Sequence, residues 1–384
     1  VSIPSHAAVS TQLNAIFVSL ELSRSTWLVT SLSPGRGERI SRHQVKGSDV
    51  PALLERFAQL QAKARERTGE QYPLVVIQEA GLDGFWIHRC LVREGIESHV
   101  VDAASIAASR RSRRAKTDKL DGEALVRTLL AYKRGEPRVC AMVTVPSAED
   151  EDRRRVCRER RSLVVERIRH INRVKGLLFA QGVGDYEPLR TNRRARLEEL
   201  VTGDGRPLPC HVKREIEREL DRLELVMRQI KEVERERDAM LEAATDEAAE
   251  PASAHLLQLR GIGPEFAGVL HAEAFFRSFS NRRQVACYAG LAPSPWQSGS
   301  MDREQGVSKA GNKRLRVTMI QVAWLWLRHQ PESELTRWYA ERVQANGGRV
   351  RRVMIVALAR KLLIALWQFS SAGVVPKGAL LKAA

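Results

Sequence analysis

The chain has 384 residues, 43% hydrophobic and 28% charged, enough for two or three domains, each with its own core. Lys and Arg number 63 against 46 Asp and Glu, a formal charge of +17, and the pI is near 10.2. That balance excludes an acidic solvating protein and points to a polyanion; because the cations are spread through segments that also carry carboxylates, nucleic acid is expected and a membrane surface is not.

Residues 1–12 are polar and expected to fray. They show no basic region followed by an apolar run, and the five cysteines (Cys90, Cys140, Cys157, Cys210, Cys287) form no CxxC or Cys/His spacing. Reduced thiols in a cytosolic protein are therefore expected. From Ala15 the pattern predicts three strands, AIFVSLEL, STWLVTSL and ERISRHQV, the last two joined by a Pro34–Gly35 turn. A helix follows over 50–67, with Leu53, Leu54, Phe57 and Leu60 at helical spacing. YPLVVIQEA is a continuous apolar run ending in an acid, as in a buried central strand. A helix over 86–94, a strand over 97–101 and a helix over 119–131 complete a β-β-β-α-β-α-β-α order, that of an RNase H-like α/β domain.

Two long amphipathic helices are expected next, over 148–180 and 211–243, the second a coiled-coil candidate. An intramolecular hairpin and dimerisation explain its apolar stripe equally well. After an Ala/Glu-rich linker over 242–252, an all-α domain is expected to the end. The apolar stretch 353–367, interrupted by Arg360 and Lys361, reads as a core helix too short and too charged to span a bilayer. The expected domains are thus 13–147, 148–250 and 251–384.

Four acids stand where this fold would hold metal ions. Glu21 ends the first strand, Glu79 ends the central strand, and Asp118 and Asp121 share a helix face at i, i+3. Two-metal phosphodiester chemistry needs converging carboxylates, and such hard oxygen ligands suit Mg²⁺ or Mn²⁺. Asp83 is a possible substitute ligand. Arg110, Arg111, Arg113, Arg114 and Lys116 abut Asp118 and would receive phosphates. LRGIGPEFA matches a helix-hairpin-helix turn, in which Gly261 and Gly263 would present backbone amides to a phosphate. A loop starting at Pro293 and Pro295 carries Ser298, followed by Lys309, Lys313, Arg314 and Arg316, cations suited to a phosphate under attack. On residue type alone Ser294, Ser300 and Ser308 are equal candidates for a nucleophile.

These motifs resemble those of the transposases of the insertion-sequence one-hundred-and-ten family, the DEDD transposases or bridge-RNA-guided serine recombinases. FVSLELSRSTW, IQEAGLDGFWIHRCL and AKTDKLDGEALVR are similar to the family's RuvC-like domain. LRGIGPEFAGVLHAE, FSNRRQVACYAGLAPSPWQSG and VSKAGNKRLRVTMIQVAW are similar to its transposase domain. The resemblance implies that Glu21, Glu79, Asp118 and Asp121 bind metal and that Ser298 is the nucleophile. It further implies donor and target DNA as substrates, a structured non-coding guide RNA, and a homo-oligomer, dimer or tetramer, in a prokaryotic cytosol. One position departs: the family's first acid is Asp, and this chain has Glu21. The rival readings are a Holliday-junction-resolvase-like nuclease using water, and a domesticated nucleic-acid-binding protein with a weakened site.

Overall fold

The computed structural model describes residues 13–37, 39–81, 84–106, 118–137, 139–246, 251–298 and 301–382. The chain divides into two compact units, Val1–Pro146 and Ser147–Ala384.

In the first unit β1 (Ile16–Glu21), β2 (Thr26–Leu32) and β3 (Ile40–Lys46) form an antiparallel meander, and β4 (Leu74–Glu79) and β5 (Glu97–Val101) add in parallel to β1. The sheet order is β3-β2-β1-β4-β5, consistent with the RNase H-like architecture read from the sequence. Strand parity sorts the core into two layers. Ile16, Val18, Leu20 and Val76 pack on Leu53, Phe57 and Leu60 of α1 (Val50–Thr68). Phe17, Val75 and Ile77 pack on Leu125, Val126 and Leu129 of α3 (Asp118–Lys133). Between them in the chain, α2 (Trp86–Arg93) buries Ile87 and Leu91 in the first layer. Local signals set the boundaries of α1. The Asp49 carboxylate accepts from the Ala52 amide at 3.0 Å, and Gly69, at φ +79°, closes the helix with a left-handed cap.

The second unit opens with α4 (Ala148–Phe179), capped by the Ser147 hydroxyl and carrying Glu149, Asp150 and Glu151 in its first turn. After the short α5 (Arg193–Glu198), α6 (Cys210–Asp246) returns antiparallel to α4. Val156 and Leu163 meet Val226, Ile230 and Val233 at one end; Val174 and Leu178 meet Ile216, Leu220 and Leu223 at the other. The apolar stripe of 211–243 is therefore consumed by an intramolecular hairpin. Because α6 runs to Asp246, the expected linker starts later than its composition suggests, and 247–250 lie outside the described residues.

The remaining helices are α7 (Pro251–Gln258), α8 (Pro264–Leu270), α9 (Arg282–Tyr288), α10 (Lys313–His329), α11 (Glu334–Ala345) and α12 (Arg351–Ala372). They enclose a core around Trp326, whose indole N–H donates to the Ser333 hydroxyl at 2.8 Å. The all-α expectation fails here: Pro293–Ser298 and Met301–Val307 pair as an antiparallel hairpin, β6 and β7. Two prolines in one short stretch read as loop, but an isolated two-stranded ribbon tolerates them at its unpaired edge. The helix expected over 353–367 is also longer. At 22 residues, α12 is long and apolar enough to cross a membrane, yet Ile355, Leu358, Leu362, Leu363, Leu366 and Phe369 are spent in this core. None of the five cysteines is in a disulfide, and burial pushes the Cys157 thiol up to about 11.

Candidate functional site

Parity brings the acids of the first unit together. Glu21 has the same parity as Phe17, and Glu79 the same as Val75 and Ile77, so both carboxylates end on the α3 side of the sheet. The parallel register Leu20↔Gln78 puts the two strand ends side by side. The first turns of α3 dock against them: the Ser19 hydroxyl donates to the Gly122 carbonyl at 2.9 Å. Asp121 precedes that glycine, and with Glu21 and Glu79 it lines one cleft of about 990 Å³. Asp118 is the first residue of α3; its side chain lies outside the described residues, as do Asp83, Arg110, Arg111, Arg113, Arg114 and Lys116.

Gly122 explains how a longer acid is accommodated at position 21. A Cβ on Gly122 would stand 2.5 Å from the Thr30 hydroxyl and 3.0 Å from Glu21 Oε1. The missing methyl leaves the space into which the Glu21 carboxylate extends. Among the described residues no group of three or more His, Cys, Asp or Glu is close enough to hold an ion by itself. The three acids lining the cleft nevertheless offer hard oxygen, the chemistry that suits Mg²⁺ or Mn²⁺. Sequence reasoning missed Arg42, which lines the same cleft and is ion-paired with Glu123 of α3. Its signal was the alternation of β3, which puts Arg42 and Val45 on opposite faces.

In the second unit, Ser298 is the last residue of β6, opposite Met301 at the tip of the hairpin. Ser294 is on the same strand, Ser300 is outside the described residues, and Ser308 is at the base, its amide donating to the Ala292 carbonyl at 2.9 Å. The four cations expected beside Ser298 lie at that base as well. Six strand residues separate tip from base, roughly 20 Å at the usual rise per residue. Arg316 donates to the Lys309 carbonyl at 2.7 Å, and Arg314 contacts Glu273 at 3.4 Å, whereas Lys309 and Lys313 are exposed. By register the cation nearer Ser298 is Arg303, paired with Trp296.

Glu273 anchors that base. It lies on a π-helical turn, His271–Phe275, and is 2% exposed. Arg158 of α4 donates to both its oxygens, at 2.9 and 3.1 Å, and Asn312, the N-cap of α10, donates to Oε2 at 3.0 Å. Burial alone would raise the Glu273 pKa; Arg158, Asn312 and Arg314 outweigh it and hold the carboxyl below its ordinary value. Nearby, Arg154 donates to the Ala272 carbonyl at 3.0 Å and lies 3.9 Å over the Phe276 ring.

The expected amide-presenting turn has a packing role too. Gly261 adopts φ +84°, and a Cβ there would meet the His329 side chain at 2.9 Å. The Arg260 carbonyl accepts from Gln330 Nε2 at 3.0 Å, and the Ile262 carbonyl accepts from Lys382 Nζ at 3.0 Å. Gly263 is the N-cap of α8, ahead of Pro264.

Residues 253–337 match the family described as Transposase IS116/IS110/IS902 family, and residues 35–180 match a DEDD-type IS110 profile described as Transposase. The chain is 65% identical to a Sinorhizobium fredii protein named as a transposase, y4rJ, over 98% of this chain and 96% of that one. It is 24% identical to the transposase for insertion sequence element IS1328 of Yersinia enterocolitica, over 84% of this chain and 91% of that one.

Proposed function

The chain belongs to the IS116/IS110/IS902 transposase family and is a DNA transposase; from that premise we propose that Glu21, Glu79, Asp118, Asp121 and Ser298 cut and rejoin the DNA. The observation that carries this reading is the convergence of Glu21, Glu79 and Asp121 on one cleft at the ends of two parallel strands. These acids, with Asp118, would hold a divalent cation, which when bound supplies charge neutralisation to the phosphate under attack.

The protein's own groups do the rest. The Ser19–Gly122 hydrogen bond fixes the first turns of α3, and so Asp121, against the sheet. Gly122 gives Glu21 its reach without displacing α3. The Ser298 hydroxyl oxygen attacks phosphorus and gives up its proton, the bond from phosphorus to a deoxyribose oxygen breaks, and that oxygen leaves as a hydroxyl by taking up one proton, so the exchange is neutral overall. The hairpin base, clamped through Asn312, Arg314 and Arg158 to Glu273, keeps the stem of the serine arm in place. By backbone register Arg303 lies nearer Ser298 than Lys309, Lys313, Arg314 and Arg316 do, which makes it the better candidate for a phosphate contact. The family resemblance supports pairing of one subunit's acids with another's serine in a dimer or tetramer. It also supports choice of donor and target by a structured guide RNA.

Trapping a covalent protein–DNA adduct tests the reading. The adduct forms with the intact protein and is lost in Ser298→Ala. Strand cleavage that persists unchanged in Ser298→Ala, with no adduct in either protein, would instead assign hydrolysis by water in the manner of a junction resolvase.

A further inference from the structure

A pocket of about 280 Å³ lies beside β3, the edge strand of the first sheet, and is walled by α1 and the β2–β3 connection. Arg36, Arg42, His43, Lys63 and Arg67 line it with Ser41, and no carboxylate is among its described lining residues. The sequence sets this up locally. Arg56, Lys63 and Arg67 recur on α1 at intervals of seven and four, which puts them on one helix face. Within the set Arg42 reaches an acid, Glu123. Arg36 donates to the Ser41 hydroxyl at 2.8 Å and Arg67 to the Pro34 carbonyl at 3.2 Å, both neutral acceptors, and neither guanidinium has an ion pair among the described residues.

His43 registers the resulting field. Burial, then Arg56, Lys63 and Arg36, holds its imidazole below the ordinary histidine pKa. Cations gathered with only Glu123 paired to them among the described residues repel one another, and an anion bound among them relieves that cost. Arg42 and His43 line both this pocket and the acidic cleft, so the two depressions adjoin across the edge strand β3.

We propose that this pocket binds a backbone phosphate of the DNA strand whose scissile phosphate enters the acidic cleft, a few nucleotides away along that strand. The inference rests on the proposed function above for what occupies the cleft. The edge strand and α1 then act as a track that feeds DNA past Arg42 towards Glu21 and Asp121. Its recognition is of charge, and sequence is not read there.

The test uses the full-length protein and a labelled single-stranded oligodeoxynucleotide, with affinity measured across a salt series. Lys63 is the residue to change, being exposed and without a carboxylate partner among the described residues. Lys63→Ala weakens binding about fivefold near 0.1 M salt and lowers the log–log salt slope by about 0.7, the loss of one single-strand phosphate contact. Lys63→Arg restores both. An unchanged slope in Lys63→Ala overturns the proposal, as does a change confined to an oligoribonucleotide of the same sequence, which would make the pocket an RNA site. Because this readout needs no turnover, it separates from the adduct assay. An adduct with an unchanged slope sinks the pocket alone, and a changed slope without an adduct sinks the chemistry alone.

Discussion

The two units use carboxylates in opposite ways. Glu273, in the second, is buried and saturated: Arg158, Arg314 and Asn312 occupy its oxygens from two further elements. Glu21, Glu79 and Asp121, in the first, line an open cleft at strand ends, and Glu79 is exposed. A carboxylate surrounded by protein cations is a structural joint. Carboxylates that line an open cleft of about 990 Å³ stand where the proposed ligand role needs them.

Substitutions that remove one kind of acid should leave the other's property untouched. The largest effect is expected for Asp121→Asn. With Asp121 holding metal as proposed, losing its charge removes several kcal/mol of transition-state stabilisation, so strand cleavage falls by about a thousandfold while the melting temperature holds. Parallel cleavage assays and thermal scans check this, and a matching loss of stability would erase the distinction. Glu273→Ala should do the reverse to stability. It leaves Arg158 and Arg314 facing a vacated buried site and costs about 3 kcal/mol, read by denaturant unfolding. Gly122→Ala falls between the two classes. Its Cβ presses on Thr30 and Glu21, so about 1–2 kcal/mol of stability is lost and cleavage drops more than in a surface control.

The smallest effect concerns pH. Glu224 has a pKa lowered to about 2, by the Arg194 hydrogen bond first, opposed by slight burial and helped by Arg193. A depressed folded-state pKa stabilises above the unfolded value near 4.5, and that contribution disappears as pH falls toward 2. The pair is solvent-screened, so Glu224→Gln should flatten acid unfolding of the second unit by less than about 1 kcal/mol. A titration of unfolding midpoints between pH 5 and 2 measures it.

Much of the first unit was legible because its strands are apolar runs ending in an acid. IFVSLE and LVVIQE mark buried strands with Glu21 and Glu79 at their ends, while the side of the sheet those acids take came only with the packing of α3. Asp121 was legible through its spacing from Asp118. Gly122 was not, since its role is an empty volume beside Thr30 and Glu21, which only packing reveals. In the second unit, spacing placed Lys309, Arg314 and Arg316 near Ser298. Pairing of β6 with β7 puts them at opposite ends of a ribbon, because linear proximity says nothing of distance once a chain extends. Glu273 went unnoticed for a related reason. Its partners lie 115 and 39 positions away in sequence, beyond any local pattern.

The pairing of α4 with α6 carries a consequence for engineering. Its two ends are secured independently, one by Tyr186 and Leu197 over Leu220, the other by Arg160 reaching Glu234 and Glu265. Excising seven residues from each limb between those ends would shorten the lever by about 10 Å and keep its seam in phase. Cleavage and melting of such a trimmed protein would tell whether the hairpin's length matters to activity apart from its stability.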